Sequence, residues 1–158
     1  MTKHPFEVIV VDDHVPYRDM VAQVLEGSGK FHVTGLGGSA ADAIRLAAEL
    51  APQFVLLDLN MPGNGLEAAR AIASLSPNSV VIILTASQDP DHLAKAIRAG
   101  AKGYVVKGVS GRELLAIILL VCAGHAYVAP SLFKNIVPEL ALILSHGPRA
   151  GGQAAFPA

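Results

Sequence analysis

The chain has 158 residues, of which 52% are hydrophobic, so it can bury the core of one ordinary domain. Charged residues make up only 16% and the formal net charge is −1, which argues against nucleic acid as a direct partner. The single cysteine, Cys122, excludes an internal disulfide. We expect it to pack within an apolar run of a protein from a reducing compartment.

The N-terminal residues and the most apolar segment both predict a cytoplasmic protein without a membrane span. Met1 to Pro5 lead directly into a predicted strand, without the longer apolar region and cleavage site of a signal peptide. Leu114 to Ala123 has about ten residues, roughly half of what a membrane-spanning helix needs. We expect this segment to be a buried helix.

Strands and helices alternate along the chain. Apolar runs without polar alternation favour strands buried on both faces, and apolar residues at helical spacing favour the helices between them. Ser110 and Glu113 have the spacing of a capping box, which predicts the start of the fifth helix. In chain order the prediction is strand Phe6–Val11, helix Tyr17–Glu26, strand His32–Gly35, helix Ala40–Leu50, strand Phe54–Leu57, helix Leu66–Leu75, strand Val80–Leu84, helix Asp89–Ala99, strand Ala101–Val106 and the helix after Ser110.

This alternation predicts an α/β domain over residues 1–128. We expect a flavodoxin-like, doubly wound parallel sheet of five strands in the order 2-1-3-4-5, with helices on both faces. Residues 129–146 predict an additional C-terminal helix with a kink near Pro138. Residues 147–158 lack periodicity and predict a flexible linker or tail.

Four of the five predicted strands end in a reactive or charged side chain: Asp12 and Asp13, Asp58, Thr85, and Lys107. Ligands of such sheets bind beyond the carboxyl ends of the strands, so we expect these side chains to meet. Neighbouring carboxylates repel unless a cation or a shared proton intervenes. Lys107 supplies an ammonium, and oxygen ligands without cysteine suit Mg²⁺. This combination is typical of phosphoryl transfer, with Asp58 as the nucleophile.

Four segments carry a resemblance to a known family. In order and spacing, they resemble the signature segments of bacterial response-regulator receiver domains. The four segments are Val10–His14, Leu57–Pro62, Leu84–Ala86 and Gly103–Lys107. The resemblance covers residues 6 to about 128. The Asp-Asp-His opening, the glycine after the lysine and the segment 124–130 are similar to the NarL/LuxR-type subgroup, whose receivers precede a helix-turn-helix DNA-binding domain.

The resemblance implies a signalling phosphoacceptor that assists only its own phosphorylation and dephosphorylation and is otherwise not an enzyme. Asp58 would accept a phosphoryl group from a sensor histidine kinase. Mg²⁺ would be held by Asp12, Asp13, Asp58 and the backbone carbonyl of Asn60. The receiver would then switch conformation and control transcription through a DNA-binding domain outside this chain.

The same resemblance implies roles for the residues around the phosphoryl group. Lys107 would neutralise its charge, Thr85 would bond one of its oxygens, and Tyr104 would change rotamer with Thr85. Asn60 and Ser87 would tune the lifetime of the acyl phosphate. Such a switch is a population shift that the new charge biases.

Two departures from the family pattern stand out. The loop Gly63–Gly65 beside Asp58 is one residue short, so we expect the chain to depart from the family pattern at this loop. The fifth helix is apolar on all sides from Leu115 to Cys122, and such a helix expects cover on every side. The apolar fifth and sixth helices could pack on one another within a monomer or form a dimer face. We expect intramolecular packing together with a homodimer through these two helices.

The sequence leaves three other functions to compare with this one. A stand-alone receiver would act by protein interaction or phosphorelay without binding DNA. An aspartyl-phosphate phosphohydrolase would need a second aspartate where this chain has Asn60. The dinucleotide-like pattern Gly35–Ala40 follows a predicted edge strand, away from the switch in strand order, so we interpret its glycines as turn residues.

Overall fold

The fold is built on one parallel sheet with helices on both faces. The computed structural model describes residues 4–135. Its elements are β1 (Phe6–Val11), α1 (Val15–Gly27), β2 (Phe31–Gly37), α2 (Ala40–Leu50), β3 (Phe54–Leu57), α3 (Gly65–Leu75), β4 (Val80–Thr85), α4 (Pro90–Arg98), β5 (Gly103–Val106), α5 (Gly111–Cys122), β6 (Tyr127–Val128) and a 3-10 helix at Pro130–Asn135.

The sheet confirms the predicted strand order and adds one strand. Its order is β2-β1-β3-β4-β5-β6, and each neighbouring pair is parallel. The flavodoxin-like fold class is therefore confirmed. The sixth strand, β6, has only two residues and pairs with β5, so the predicted count of five was one short. It lies between the fifth predicted helix and the additional helix predicted from residue 129.

Two hydrophobic layers enclose the sheet because successive strand residues point to opposite faces. On one face, Ile9, Val55 and Ile83 pack with residues of α2, α3 and α4. On the other, Val10 and Leu56 pack with residues of α1 and α5. Strands β1, β3 and β4 are buried on both faces over most of their length, as their continuous apolar runs predicted.

Helix α5 is less completely covered than its composition led us to expect. Leu114, Ile117, Ile118 and Val121 are buried against the sheet and α1, whereas Leu120 is 41% exposed. The predicted helix over 129–146 begins in the structure as the 3-10 helix, and the remainder, the kink near Pro138 and the tail lie outside the described residues. The homodimer through this region stays a prediction.

Among residues 4–135, no helix is both long and apolar enough to cross a bilayer. Cys122 packs against the core layer next to α1, and burial raises the pKa of its thiol to about 12. A thiol with such a pKa stays protonated at neutral pH, which suits the packing role predicted for it.

The short loop between β3 and α3 is held closely against the end of β3. Asn64 caps α3 by accepting hydrogen bonds from the backbone nitrogens of Leu66 and Glu67, at 3.0 and 3.1 Å. A Cβ atom on Gly65 would lie 2.8 Å from Leu59 Cα and 3.1 Å from the Asp58 carbonyl oxygen. The first residue of α3 must therefore be glycine for the backbone around Asp58 to keep this conformation.

We expect Gly65→Ala to destabilise the protein by about 1–3 kcal/mol, because the added methyl group meets backbone atoms that cannot move aside. Gly27→Ala is the matched control, since its Cβ would have no neighbour within 4 Å. We expect that change to leave stability unchanged or to raise it by up to about 1 kcal/mol. Urea unfolding of the two variants measures both effects, and equal stabilities would contradict the close contact at Gly65.

Candidate functional site

The reactive side chains predicted at the strand ends meet at one edge of the sheet. Val11 pairs with Leu57, so the residues that follow them, Asp12 and Asp58, lie side by side. The backbone nitrogen of Asp58 donates to the carbonyl oxygen of Val11 at 3.0 Å and continues the strand pairing into the site. Lys107 is placed in the same way, because its backbone nitrogen donates to the Thr85 carbonyl oxygen at 2.8 Å.

Lys107 joins two buried carboxylates. Its Nζ lies 2.7 Å from Asp12 Oδ2 and 3.1 Å from Asp58 Oδ2. The carboxylate side chains are 4% exposed and that of the lysine 18%, so solvent screens these charges weakly. Burial disfavours the ammonium, but the hydrogen bonds to Asp12 and Asp58 outweigh it and raise the pKa of Lys107 above its ordinary value. The ammonium therefore stays charged at neutral pH.

Three carboxylates form a cluster that could hold a cation. One oxygen from each of Asp12, Asp13 and Asp58 lies within 4.8 Å of the others. Asp13 is exposed, while the other two are oriented by backbone donors: His14 N lies 2.9 Å from Asp12 Oδ1, and Asn60 N lies 3.0 Å from Asp58 Oδ1. Hard oxygen donors in this number suit a divalent cation such as Mg²⁺.

Asn60 and Thr85 connect the loop after β3, which begins with Asp58, to the end of β4. Thr85 is fully buried, and its Oγ1 accepts hydrogen bonds from Asn60 Nδ2 at 3.2 Å and from Ser87 N at 3.3 Å. The ring of Tyr104 lies in the core, and its Oη donates to the Ser87 carbonyl oxygen at 3.2 Å. Burial raises the pKa of Tyr104, so its hydroxyl remains a donor. All residues predicted around the phosphoryl group thus lie in one connected network.

Tyr17 also belongs to this site, although no motif in the sequence indicated it. The Lys107 ammonium lies 4.6 Å from the centroid of the Tyr17 ring, within cation–π distance. Tyr17 Oη is buried and has no hydrogen-bond partner among residues 4–135, and burial raises its pKa. Only the position of Tyr17 in the chain could have indicated this role. Helix α1 begins directly after the loop of Asp12 and Asp13, so its first turn covers the strand ends.

Comparison with known proteins identifies related sequences. The family model for the response regulator receiver domain matches residues 8–119. Response regulator GacA of Pseudomonas aeruginosa is 34% identical over 131 residues, covering 82% of this chain and 61% of that protein. Transcriptional regulatory protein DegU of Brevibacillus brevis is 26% identical over 157 residues, covering 99% of this chain and 66% of that protein.

A solved structure shows the same likeness. The LuxR-family two-component response regulator from Aurantimonas sp. SI85-9A1 is 31% identical and superimposes with a TM-score of 0.78. The match covers 87% of this chain and 99% of that one. This chain spans about two-thirds of the length of DegU and about three-fifths of that of GacA, since it covers 66% and 61% of them.

We expect Tyr17→Leu to lower the free energy of unfolding by about 0.5–2 kcal/mol through loss of the cation–π contact with Lys107. Tyr17→Phe keeps the ring and removes only the unbonded hydroxyl, so it should be as stable as the wild type or more stable. The pKa of Lys107 is raised above 10.5, so its charge is lost only as pH rises through that higher value. Urea unfolding at pH 7 therefore measures the full contact, and equal stabilities of the Leu and Phe variants would exclude it.

Proposed function

The chain belongs to the response regulator receiver domain family, and we propose that it is a phosphoacceptor whose modified residue is Asp58. Members of this family usually act in signalling rather than in catalysis, and the related proteins include transcriptional regulators. The donor would be a sensor histidine kinase. The chain would switch conformation when Asp58 carries the phosphoryl group.

The observation that carries this proposal is the position of Lys107 between Asp12 and Asp58. A carboxylate can act as a nucleophile towards phosphorus only if the charge on the incoming phosphoryl oxygens is neutralised. The ammonium 3.1 Å from Asp58 Oδ2 supplies positive charge at the atom that would react. The backbone nitrogen of Asn60 holds the other oxygen of the same carboxylate at 3.0 Å and orients it.

The reaction at Asp58 would be an in-line displacement. A carboxylate oxygen attacks the phosphorus of a phosphohistidine, and the new O–P bond forms as the P–N bond breaks. The imidazole of the kinase leaves with the electron pair and takes a proton from solvent. Lys107 would then exchange part of its contact with Asp58 for a phosphoryl oxygen, and Thr85 would donate its hydroxyl hydrogen to another.

The donor set of the site fits Mg²⁺, which we propose as its cofactor. The oxygens of Asp12, Asp13 and Asp58 that cluster within 4.8 Å would hold it, together with the backbone carbonyl of Asn60. When bound, the cation would neutralise charge on the phosphoryl oxygens. Lys107 remains necessary beside it, because it compensates the two buried carboxylates through a direct contact with each.

The switch would pass from Thr85 to Tyr104 through the residues that connect them. Thr85 Oγ1 accepts from Ser87 N, and the Ser87 carbonyl accepts from Tyr104 Oη. A movement of Thr85 towards Asp58 would therefore change the environment of the tyrosine ring. Asn60 and Ser87 would set the lifetime of the acyl phosphate, since both contact the hydroxyl of Thr85.

The output that we propose is control of transcription in the cytoplasm, through a helix-turn-helix domain outside this chain. The support is the likeness to a transcriptional regulatory protein and to a LuxR-family response regulator, both by name. The chain spans about three-fifths to two-thirds of its curated relatives. A stand-alone receiver that acts through protein contacts remains the alternative.

We expect a small phosphodonor, acetyl phosphate with Mg²⁺, to add one phosphoryl group to the wild type and none to Asp58→Asn. The amide of asparagine cannot form the acyl phosphate. Intact mass spectrometry of both proteins after the same incubation measures the uptake. Equal uptake by the two proteins would exclude Asp58 as the acceptor.

We expect Asp13→Asn to weaken Mg²⁺ binding at least about tenfold, because it removes a charged ligand from the cluster. Asp42→Asn is the matched control: Asp42 accepts from Gly38 N and pairs with Arg45, at the start of α2 and outside the cluster. Titration calorimetry gives both affinities. If the two substitutions weaken Mg²⁺ binding equally, the proposed metal site is wrong.

A further inference from the structure

Ser87 is the residue at which the site, the buried tyrosine and helix α4 are joined. Its backbone nitrogen donates to Thr85 Oγ1 at 3.3 Å, and its carbonyl oxygen accepts from Tyr104 Oη at 3.2 Å. Its hydroxyl is hydrogen-bonded to His92 Nδ1 at 2.6 Å and accepts from Asp89 N at 3.3 Å. All three polar groups of this loop residue are therefore held by other parts of the protein.

His92 is the side chain that ties this loop residue to a rigid element. It lies in the first turn of α4, and its backbone nitrogen donates to the Asp89 carbonyl oxygen at 3.0 Å. Leu93, the next residue, is fully buried and packs in the core layer between the sheet and α2 to α4. The imidazole can therefore act as a fixed partner for a serine hydroxyl that would otherwise rotate freely.

The contact has the geometry of a strong, oriented hydrogen bond. The distance of 2.6 Å between Ser87 Oγ and His92 Nδ1 is at the short end of the range for a hydroxyl hydrogen bond. On the other edge of the ring, His92 Nε2 lies 3.9 Å from Oδ2 of Asp89, the residue that caps α4. The side chain of His92 is 37% exposed, so it can be replaced without opening the core.

We propose that His92 is a positioning residue that, through Ser87, holds Thr85 and Tyr104 in place and thereby sets the lifetime of the phosphoryl group. This inference rests on the proposed function of Asp58. Loss of the imidazole frees the Ser87 hydroxyl and loosens the backbone between β4 and α4. Thr85 then loses a fixed donor and Tyr104 a fixed acceptor, and the contact of Thr85 with the phosphoryl group weakens.

A double-mutant cycle tests whether His92 acts through Ser87. The four proteins are the wild type, Ser87→Ala, His92→Ala and the double variant, each phosphorylated with acetyl phosphate and then freed of the donor. Intact mass spectrometry follows loss of the phosphoryl group. We expect His92→Ala to speed the loss about threefold or more in the wild-type background and to have no further effect when Ser87 is already alanine.

Two variants separate positioning from a general structural effect. His92→Asn keeps a polar atom near the place of Nδ1 and should restore most of the wild-type lifetime. His32→Ala removes an exposed histidine that pairs with Glu26 at 3.2 Å on β2, and it should leave the lifetime unchanged. A lifetime that changes equally in the His32 and His92 variants would overturn the proposal.

A second readout needs no phosphorylation. In the unmodified protein, His92→Ala should speed amide hydrogen exchange at Ser87 and shift the NMR resonances of the Tyr104 ring, and His92→Asn should do so less. Unchanged exchange and resonances would overturn the inference. Equal decay in all four proteins of the cycle would overturn it as well, while leaving the phosphoacceptor function intact. Absence of phosphate uptake by the wild type would instead overturn the proposed function together with the claim on lifetime.

Discussion

Two buried carboxylates held side by side by one ammonium are the constraint on which the candidate site depends. Asp12 and Asp58 are 4% exposed at their side chains, and each has an oxygen within 3.1 Å of Lys107 Nζ. Charges removed from water are costly unless they are paired and hydrogen-bonded. The backbone nitrogens of His14 and Asn60 complete the compensation, so the loops after β1 and β3 are shaped by the need to satisfy these two side chains.

The parallel sheet is what allows this arrangement. Three different strands must end at the same edge to bring two aspartates and a lysine together, and only parallel neighbours point their carboxyl ends the same way. Both faces of the sheet are covered by helices, so the strand ends are the part of the sheet where charged groups can reach solvent. Gly65 lets α3 start against the backbone of Leu59, close to Asp58.

The strand ends could be predicted because buried parallel strands are continuous apolar runs whose last residue is visible in the sequence. Contacts made by helix faces could not be predicted in the same way. Whether Tyr17 covers Lys107, or His92 reaches Ser87, depends on the rotation of α1 and α4 about their axes and on side-chain rotamers, which spacing alone does not specify. Strand β6 was missed as a strand because two residues carry no periodicity.

The hydroxyl of Thr85 shows how such a network limits the ways in which a site can respond. A hydroxyl has one hydrogen to donate and two lone pairs, and here both lone pairs face donors, Asn60 Nδ2 and Ser87 N. An anion can therefore interact with Thr85 only through that single hydrogen, whose direction is restricted by the two bonds. The threonine is therefore selective for hydrogen-bond acceptors: an anion aligned with this hydrogen can be bound, whereas a cation gains nothing from it.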